Sequence, residues 1–254
     1  MKIDIIYNED CIKTINDRIE NKSIDVVLTS PPYNIIRPNS TDRGYDLYKD
    51  GMTNDQYSQW CCNIINSLDD KIKDNGCILW NMSYGSENTE CMIITIHDIL
   101  KKTNFTLADI IIWKKKSATP NNVSKNKLTR ICEHIFVLCR RSEFDTFFSN
   151  KIKLKTRENG QAVYENIFNF IESPNNDGSN ILNKATFSSN MVRKLLNIYA
   201  TNGSLIYDPF MGTGTTAIGA IRNKCHYIGS ELSEKQCNYA TNRIKMENLQ
   251  KKLF

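Results

Sequence analysis

Residues 24–29, Ile24-Asp25-Val26-Val27-Leu28-Thr29, form a short β-branched run that stops at Pro31-Pro32. Successive apolar positions, rather than alternating ones, suit a strand covered on both faces, the environment of a parallel sheet. Neither proline can donate to a ladder, so the strand ends there and Ser30 is held at its tip. Parallel strands need crossover connections, and the chain supplies them. Strand-like runs at Ile3–Tyr7, Cys77–Asn81, Leu107–Trp113, Ile131–Cys139, Leu205–Tyr207 and His226–Ile228 are interleaved with helical stretches. The helices fall after the polar turn Asn8-Glu9-Asp10, from the N-cap candidate Asn54 to Leu68, from Glu87 to Lys101, from Asn190 to Tyr199, from Thr215 to Arg222 and from Ser233. Such alternation predicts an α/β fold, a mostly parallel sheet with helices on both faces, and 254 residues suit a single domain of this kind.

Ligands of such sheets sit at the carboxyl ends of the strands. Both unusual turns of this chain, at Ser30 and at Pro209, directly follow strand-like runs, so the fold places them on one edge. Residues 35–53 are polar and read as a long loop or lid. Lys114–Arg130 and Arg140–Gly178 also read as irregular.

Composition excludes some classes. With 40% hydrophobic and 24% charged residues and a mean hydropathy of −0.45, the chain has the balance of a soluble globular protein, and no apolar run nears the roughly 18 residues needed to cross a bilayer. Met1-Lys2-Ile3-Asp4 lacks the pattern of a signal peptide, so a cytoplasmic setting and no membrane partner are expected. Nine scattered cysteines without a C-x-x-C read as reduced, mostly buried small hydrophobes. His97, His134 and His226 show no ligand spacing, so no metal is expected. Charge is unevenly spread: residues 114–158 hold twelve Lys/Arg against four Asp/Glu, which leaves the rest of the chain net negative. A segregated basic stretch suits a phosphate backbone, and equally a solvated lysine-rich face.

Two segments carry chemistry. In Asp208-Pro209-Phe210-Met211-Gly212-Thr213-Gly214-Thr215-Thr216, Gly212 and Gly214 allow close backbone approach, and the following helix offers unpaired N–H groups to an anionic ligand. A nucleotide-like cofactor suits this turn; a tight strand-to-helix connection is the plainer reading. No lysine follows the glycines, which argues against an NTPase. About twenty residues on, Glu231 ends the next strand, where an acid accepts hydrogen bonds from ribose hydroxyls, or else charges the N-terminus of the last helix. The second segment is Thr29-Ser30-Pro31-Pro32-Tyr33-Asn34, in which the two prolines fix the side chain before them and the aromatic after them.

Together these segments resemble the amino-group (N4-cytosine or N6-adenine) DNA methyltransferases in the beta-group order, catalytic loop early and glycine loop late. The likeness extends to Asn8-Glu9-Asp10-Cys11, Trp113-Lys114-Lys115 and Glu133-His134-Ile135, and runs through nearly the whole chain. It implies a single Rossmann-like S-adenosylmethionine-dependent fold. Cofactor contacts are implied for Asp10, Cys11, Phe187, Asp208, Pro209, Phe210, Gly212, Gly214, Thr215 and Glu231, and catalytic roles for Ser30, Pro31, Pro32 and Tyr33. Where the family usually carries a His-Pro segment, this chain has Asn183-Lys184-Ala185-Thr186-Phe187-Ser188.

The implied mechanism has the Ser30 hydroxyl and the Pro31 carbonyl accept the two protons of a base's exocyclic amine, with Tyr33 as a stacking platform for a base flipped from the duplex. Ser30 in place of aspartate leans the base towards cytosine-N4, with adenine-N6 the alternative. Loops 35–53 and 114–180 are the segments large enough to read double-stranded DNA, with Asn34, Lys114, Lys125, Lys127, Arg130 and Arg157 as contacts. A small recognition region implies a short site or a homodimer, and the family resemblance brings in a cognate restriction endonuclease as a partner. An RNA or protein-amide methyltransferase of the same fold, and an inactive nucleic-acid-binding module, are the rival readings.

Overall fold

A computed structural model of the chain describes residues 1–34, 51–85, 88–178 and 186–251. Its centre is an eight-stranded sheet. In chain order the strands are β1 (Ile5–Tyr7), β2 (Ile24–Thr29), β3 (Ile72–Met82), β4 (Phe105–Lys115), β5 (Cys132–Arg140), β8 (Phe170–Ser173), β9 (Leu205–Asp208) and β10 (His226–Ser230). Their spatial order is β1-β10-β9-β2-β3-β5-β4-β8, while β6 (Lys153–Thr156) and β7 (Ala162–Tyr164) form a separate antiparallel hairpin. Of the eight, only β5 opposes its neighbours; all other pairings are parallel.

The helices are α1 (Cys11–Arg18), α2 (Asn54–Leu68), α3 (Cys91–Lys102), α4 (Ser189–Tyr199), α5 (Thr215–Arg222) and α6 (Glu234–Lys251). They cover both faces, and strand parity explains the division. Val27, Ile78, Trp80 and Tyr207 point to one side and pack with Ile15, Ile64, Ile65 and Ile99 of α1, α2 and α3. Val26, Leu28, Leu79 and Ile206 point to the other and pack with Val192, Leu195, Ile218 and Ile244 of α4, α5 and α6. Successive side chains on a strand alternate between faces, so a run such as Val26-Val27-Leu28 feeds both layers, each fully buried side chain contributing about 1.5–3 kcal/mol.

The α/β class, the parallel sheet and the two-sided cover agree with the sequence reading; several boundaries differ. Helix α2 is capped by Thr53 rather than Asn54: the Thr53 side chain accepts from Gln56 N (3.2 Å) and Gln56 returns a bond to Thr53 N (3.0 Å), a complete capping box. Asp4, at φ +59°, delays β1 to Ile5. Strand β3 starts five residues earlier than its apolar run, because Ile72 pairs with Ile24 while Lys73, Asp74 and Asn75 carry no core signal. The largest miss lies in Arg140–Gly178, which holds β6, β7 and β8. Strand β6 is exposed throughout, and β8 buries only Ile171 and Ser173, so neither has a hydrophobic pattern to read. Of the 35–53 loop only 51–53 are described; its remainder, the Glu87 helix start, the end of the 114–180 segment and Asn183-Lys184-Ala185 lie outside the described residues. No described helix is long and apolar enough to cross a membrane.

Candidate active site

Strands β2 and β9 are neighbours, but the helices that follow them, α2 and α5, lie on opposite faces. This is the point at which open α/β sheets form a crevice at the carboxyl ends of their strands. Ser30 and Pro209 sit on its two lips. Thr29 Oγ1 donates to Asp208 Oδ1 (2.6 Å), joining the last residues of the two strands. Asp208 is 1% exposed. Its Oδ1 also accepts from Phe210 N (2.9 Å) and its Oδ2 from Thr216 Oγ1 (2.5 Å). Burial pushes its carboxyl up to about 6 against the pull of these donors. Asp208 therefore knots both loops beneath the cleft, where the sequence reading had it contacting a cofactor.

One cleft brings together most of the remaining sequence-derived residues. Asp10, Cys11, Ser30, Pro32, Phe187, Pro209, Phe210, Gly212, Thr215 and Glu231 all line it. Glu231 grips the glycine turn, its Oε2 accepting from Gly212 N (2.8 Å) and its Oε1 from Ser233 N (2.8 Å). Asp10 caps α1 through Ile12 N (2.8 Å). Burial pushes the Cys11 thiol up to about 12, so it contributes packing and no nucleophile. Gly214 is outside the lining: at φ +84° a Cβ there would stand 2.9 Å from the Ala240 Cβ of α6, so this glycine serves helix packing rather than approach to a ligand.

Helix α2 braces both lips. Tyr57 Oη donates to the Pro32 carbonyl (2.8 Å), and Trp60 packs on Phe210 with ring centroids 5.3 Å apart. Pro31 and Pro32 are buried and Tyr33 is half-buried. Behind Ser30 lies a polar network. Ser30 Oγ donates to Tyr33 Oη (2.7 Å), which donates to Glu133 Oε2 (3.0 Å). Asn81 Nδ2 donates to Tyr33 Oη and to Glu133 Oε2, both at 2.8 Å, and Lys115 Nζ pairs with Glu133 Oε1. Asn81 and Glu133 are 2% and 8% exposed. Sequence reasoning noted Glu133 and Lys115 only as family-like residues and missed Asn81. The available signal was a polar residue directly after the buried run Cys77–Trp80, at a strand's carboxyl end.

The expected nucleic-acid contacts divide. Lys125, Lys127 and Arg130 are exposed in the segment joining β4 to β5, and Arg130 also lies 5.3 Å over the Tyr84 ring. Lys114 is spoken for on the sheet, paired with Glu172 at 3.3 Å, and Arg157 bonds Gln161 within the β6–β7 turn (3.0 Å). Asn34 departs from its expected role. It is fully buried at φ +53°, its Oδ1 accepting from Gly51 N and Met52 N and its Nδ2 donating to the Met52 carbonyl. It closes the base of the segment after the catalytic loop instead of facing a nucleic acid. Arg140 accounts for part of the basic excess without any surface role, being 8% exposed and paired with Asp69 (2.8 Å).

The donor set fits S-adenosylmethionine. The cleft offers an acid at a strand end, aromatic walls at Phe210 and Phe187, the start of α5 at Thr215, which no side chain caps, and the buried Thr213 hydroxyl, which has no partner among the described residues. An open sheet with this cleft at its switch point is the architecture of an enzyme that holds a nucleotide-type cofactor. The N6/N4 family described as DNA methylase matches residues 24–242, and the chain belongs to it. It is similar to the orphan methyltransferase M.BamHII of Bacillus amyloliquefaciens, 24% identical over 91% of this chain and 92% of that one. It is also similar to the type II methyltransferase M2.MboI of Moraxella bovis, 25% identical over 97% and 92%. Among solved structures, the fold is that of the cytosine-N4-specific PvuII DNA methyltransferase (TM-score 0.72, 16% identity, 94% of this chain and 85% of that one). The M1.HpyAVI–SAM complex shares it (0.62, 18%, 94% and 97%). The protein is thus an amino-group DNA methyltransferase.

Proposed function

We propose that this enzyme methylates the N4 amine of cytosine, flipped out of duplex DNA, with residues 29–34 as its catalytic loop. The observation that carries the choice of base is Ser30, the form of the loop more common among cytosine-N4 enzymes than the aspartate usual in adenine-N6 ones. An exocyclic amine is a weak nucleophile because its lone pair is delocalised into the ring. Ser30 Oγ and the Pro31 carbonyl accept its two protons and turn the lone pair out of conjugation. Pro32 holds the loop in place, its carbonyl accepting from Tyr57 Oη. When bound, S-adenosylmethionine supplies an electrophilic methyl group on a sulfonium. Glu231 receives its ribose hydroxyls, Thr213 and the start of α5 its amino-acid end, and Phe210, Phe187 and Asp10 flank the remainder.

Lys125, Lys127 and Arg130 contact phosphates beside the site. The chain acts as one catalytic domain with its recognition loops inserted, in the cytoplasm, alongside a restriction endonuclease reading the same sequence. The decisive experiment digests DNA treated with enzyme and labelled cofactor to nucleosides and identifies the product by mass. N4-methylcytosine is expected, and N6-methyladenine overturns the base assignment. Methylation of RNA or protein with DNA inert overturns the substrate.

A further inference from the structure

We propose that Ser30, Tyr33 and Glu133 form a proton path that carries the surplus proton of the target amine out of the site. The inference rests on the reading above, in which Ser30 Oγ meets that amine. A serine in this position faces a difficulty that an aspartate does not. The methylated nitrogen carries one proton too many, and a carboxylate can keep it, whereas a protonated alcohol is far too strong an acid to do so. A serine can take the proton only by handing its own onward.

The hydrogen-bond directions are set for that transfer. An ionised carboxylate only accepts, so the single proton of Tyr33 goes to Glu133 Oε2 (3.0 Å). Tyr33 Oη can then only accept from Ser30, whose single proton is committed to it (2.7 Å). With its proton spent, Ser30 Oγ turns lone pairs alone to the amine and acts as the acceptor an aspartate would be. Asn81 holds the register by donating at 2.8 Å to both Tyr33 Oη and Glu133 Oε2, and Lys115 Nζ pairs with the other carboxylate oxygen, Oε1. In the transfer one N–H bond of the amine breaks as a proton bonds to Ser30 Oγ. The Ser30 proton moves to Tyr33 Oη and the Tyr33 proton to Glu133 Oε2. Both hydroxyls end as they began, no electrons change centre, and Glu133 becomes a neutral acid that later loses its proton to water.

A carboxylate 8% exposed on a sheet strand costs several kcal/mol to bury unless it is paired. Here two of the side chains that contact it, Tyr33 and Asn81, also contact Ser30. Glu133 is accordingly a positioning residue that acts through Tyr33.

The test compares Glu133→Gln, Tyr33→Phe and the double variant in single-turnover methylation of unmodified duplex DNA, alongside equilibrium S-adenosylmethionine binding. Each single variant should slow methyl transfer by about 10²–10⁴-fold, the usual range for proton-transfer catalysis. Cofactor affinity should stay within about threefold, and the double variant should be no slower than the slower single, as for links of one chain. Glu133→Ala should regain at least about tenfold with added formate, a rescue that repair of packing does not give. In the protein alone, the carbon-13 resonance of Tyr33 Cζ, assigned by its loss in Tyr33→Phe, should move in Glu133→Gln. An active wild type with Glu133→Gln within threefold of it, multiplying single effects, or an unmoved resonance overturns the path alone. A wild type that leaves DNA unmethylated overturns the substrate reading and the path with it.

Discussion

Thr29 and Asp208 are 179 residues apart in the chain and are joined by a 2.6 Å hydrogen bond at the ends of neighbouring parallel strands. The bond fixes the catalytic loop relative to the glycine loop. Thr29→Val keeps the shape and removes the donor, which should cost about 1.5–3 kcal/mol because the acceptor is charged and buried. Thr29→Ser should recover most of that. Urea unfolding measures the stability, and calorimetry should show weaker cofactor binding in the valine variant.

Asp208 also gives the fold a pH signature. Its carboxyl titrates at about 6 in the fold and near 3.9 when unfolded, so on raising the pH the unfolded state gives up the proton first. The stability contributed by neutral Asp208 is complete below about pH 4 and is lost as the pH rises through about 6, on the order of 3 kcal/mol in all. In Asp208→Asn, unfolding free energy measured across this interval should lack that decline. Parallel curves for the two proteins would refute the assignment.

Gly214→Ala meets two obstacles, a φ of +84° and a Cβ 2.9 Å from that of Ala240. Strained backbone alone costs about 1–3 kcal/mol, and the clash pushes α5 away from α6. Thermal unfolding should show a loss of at least about 2 kcal/mol, with weaker cofactor binding. Retained stability and affinity would mean that α6 moves aside freely.

Tyr57 lies outside the cleft lining, yet its hydroxyl holds the Pro32 carbonyl. Tyr57→Phe should cost about 1–2 kcal/mol, the price of leaving a buried acceptor unpaired. Because the catalytic loop loosens, kcat should fall more than the KM for S-adenosylmethionine rises. Steady-state kinetics separates the two.

Lys125→Ala, Lys127→Ala and Arg130→Ala should each weaken DNA binding about equally on all sequences and lower the salt-dependence slope by about 1. Lys114→Ala should change neither, since that ammonium is paired with Glu172 on the sheet. Fluorescence anisotropy over a salt series distinguishes phosphate contacts from base readers, whose loss would relax sequence preference instead.

The sequence by itself determined the class of fold and both lips of the site. Runs such as Val26-Val27-Leu28 can be satisfied only between two helical layers, and Pro31-Pro32 and the glycine turn are local devices that end a strand wherever they occur. What tertiary structure decided is which polar groups face one another. Asn81, Glu133 and Lys115 come from three strands, and Glu133 reaches Tyr33 only because β5 enters the sheet antiparallel at the catalytic edge. Asn34 and Asp208 stand within the two recognisable motifs and still prove to be internal ties. A motif fixes a residue's place along the chain. Whether its side chain meets a ligand or a neighbouring loop depends on contacts between segments far apart in sequence, and those exist only once the sheet has brought them together.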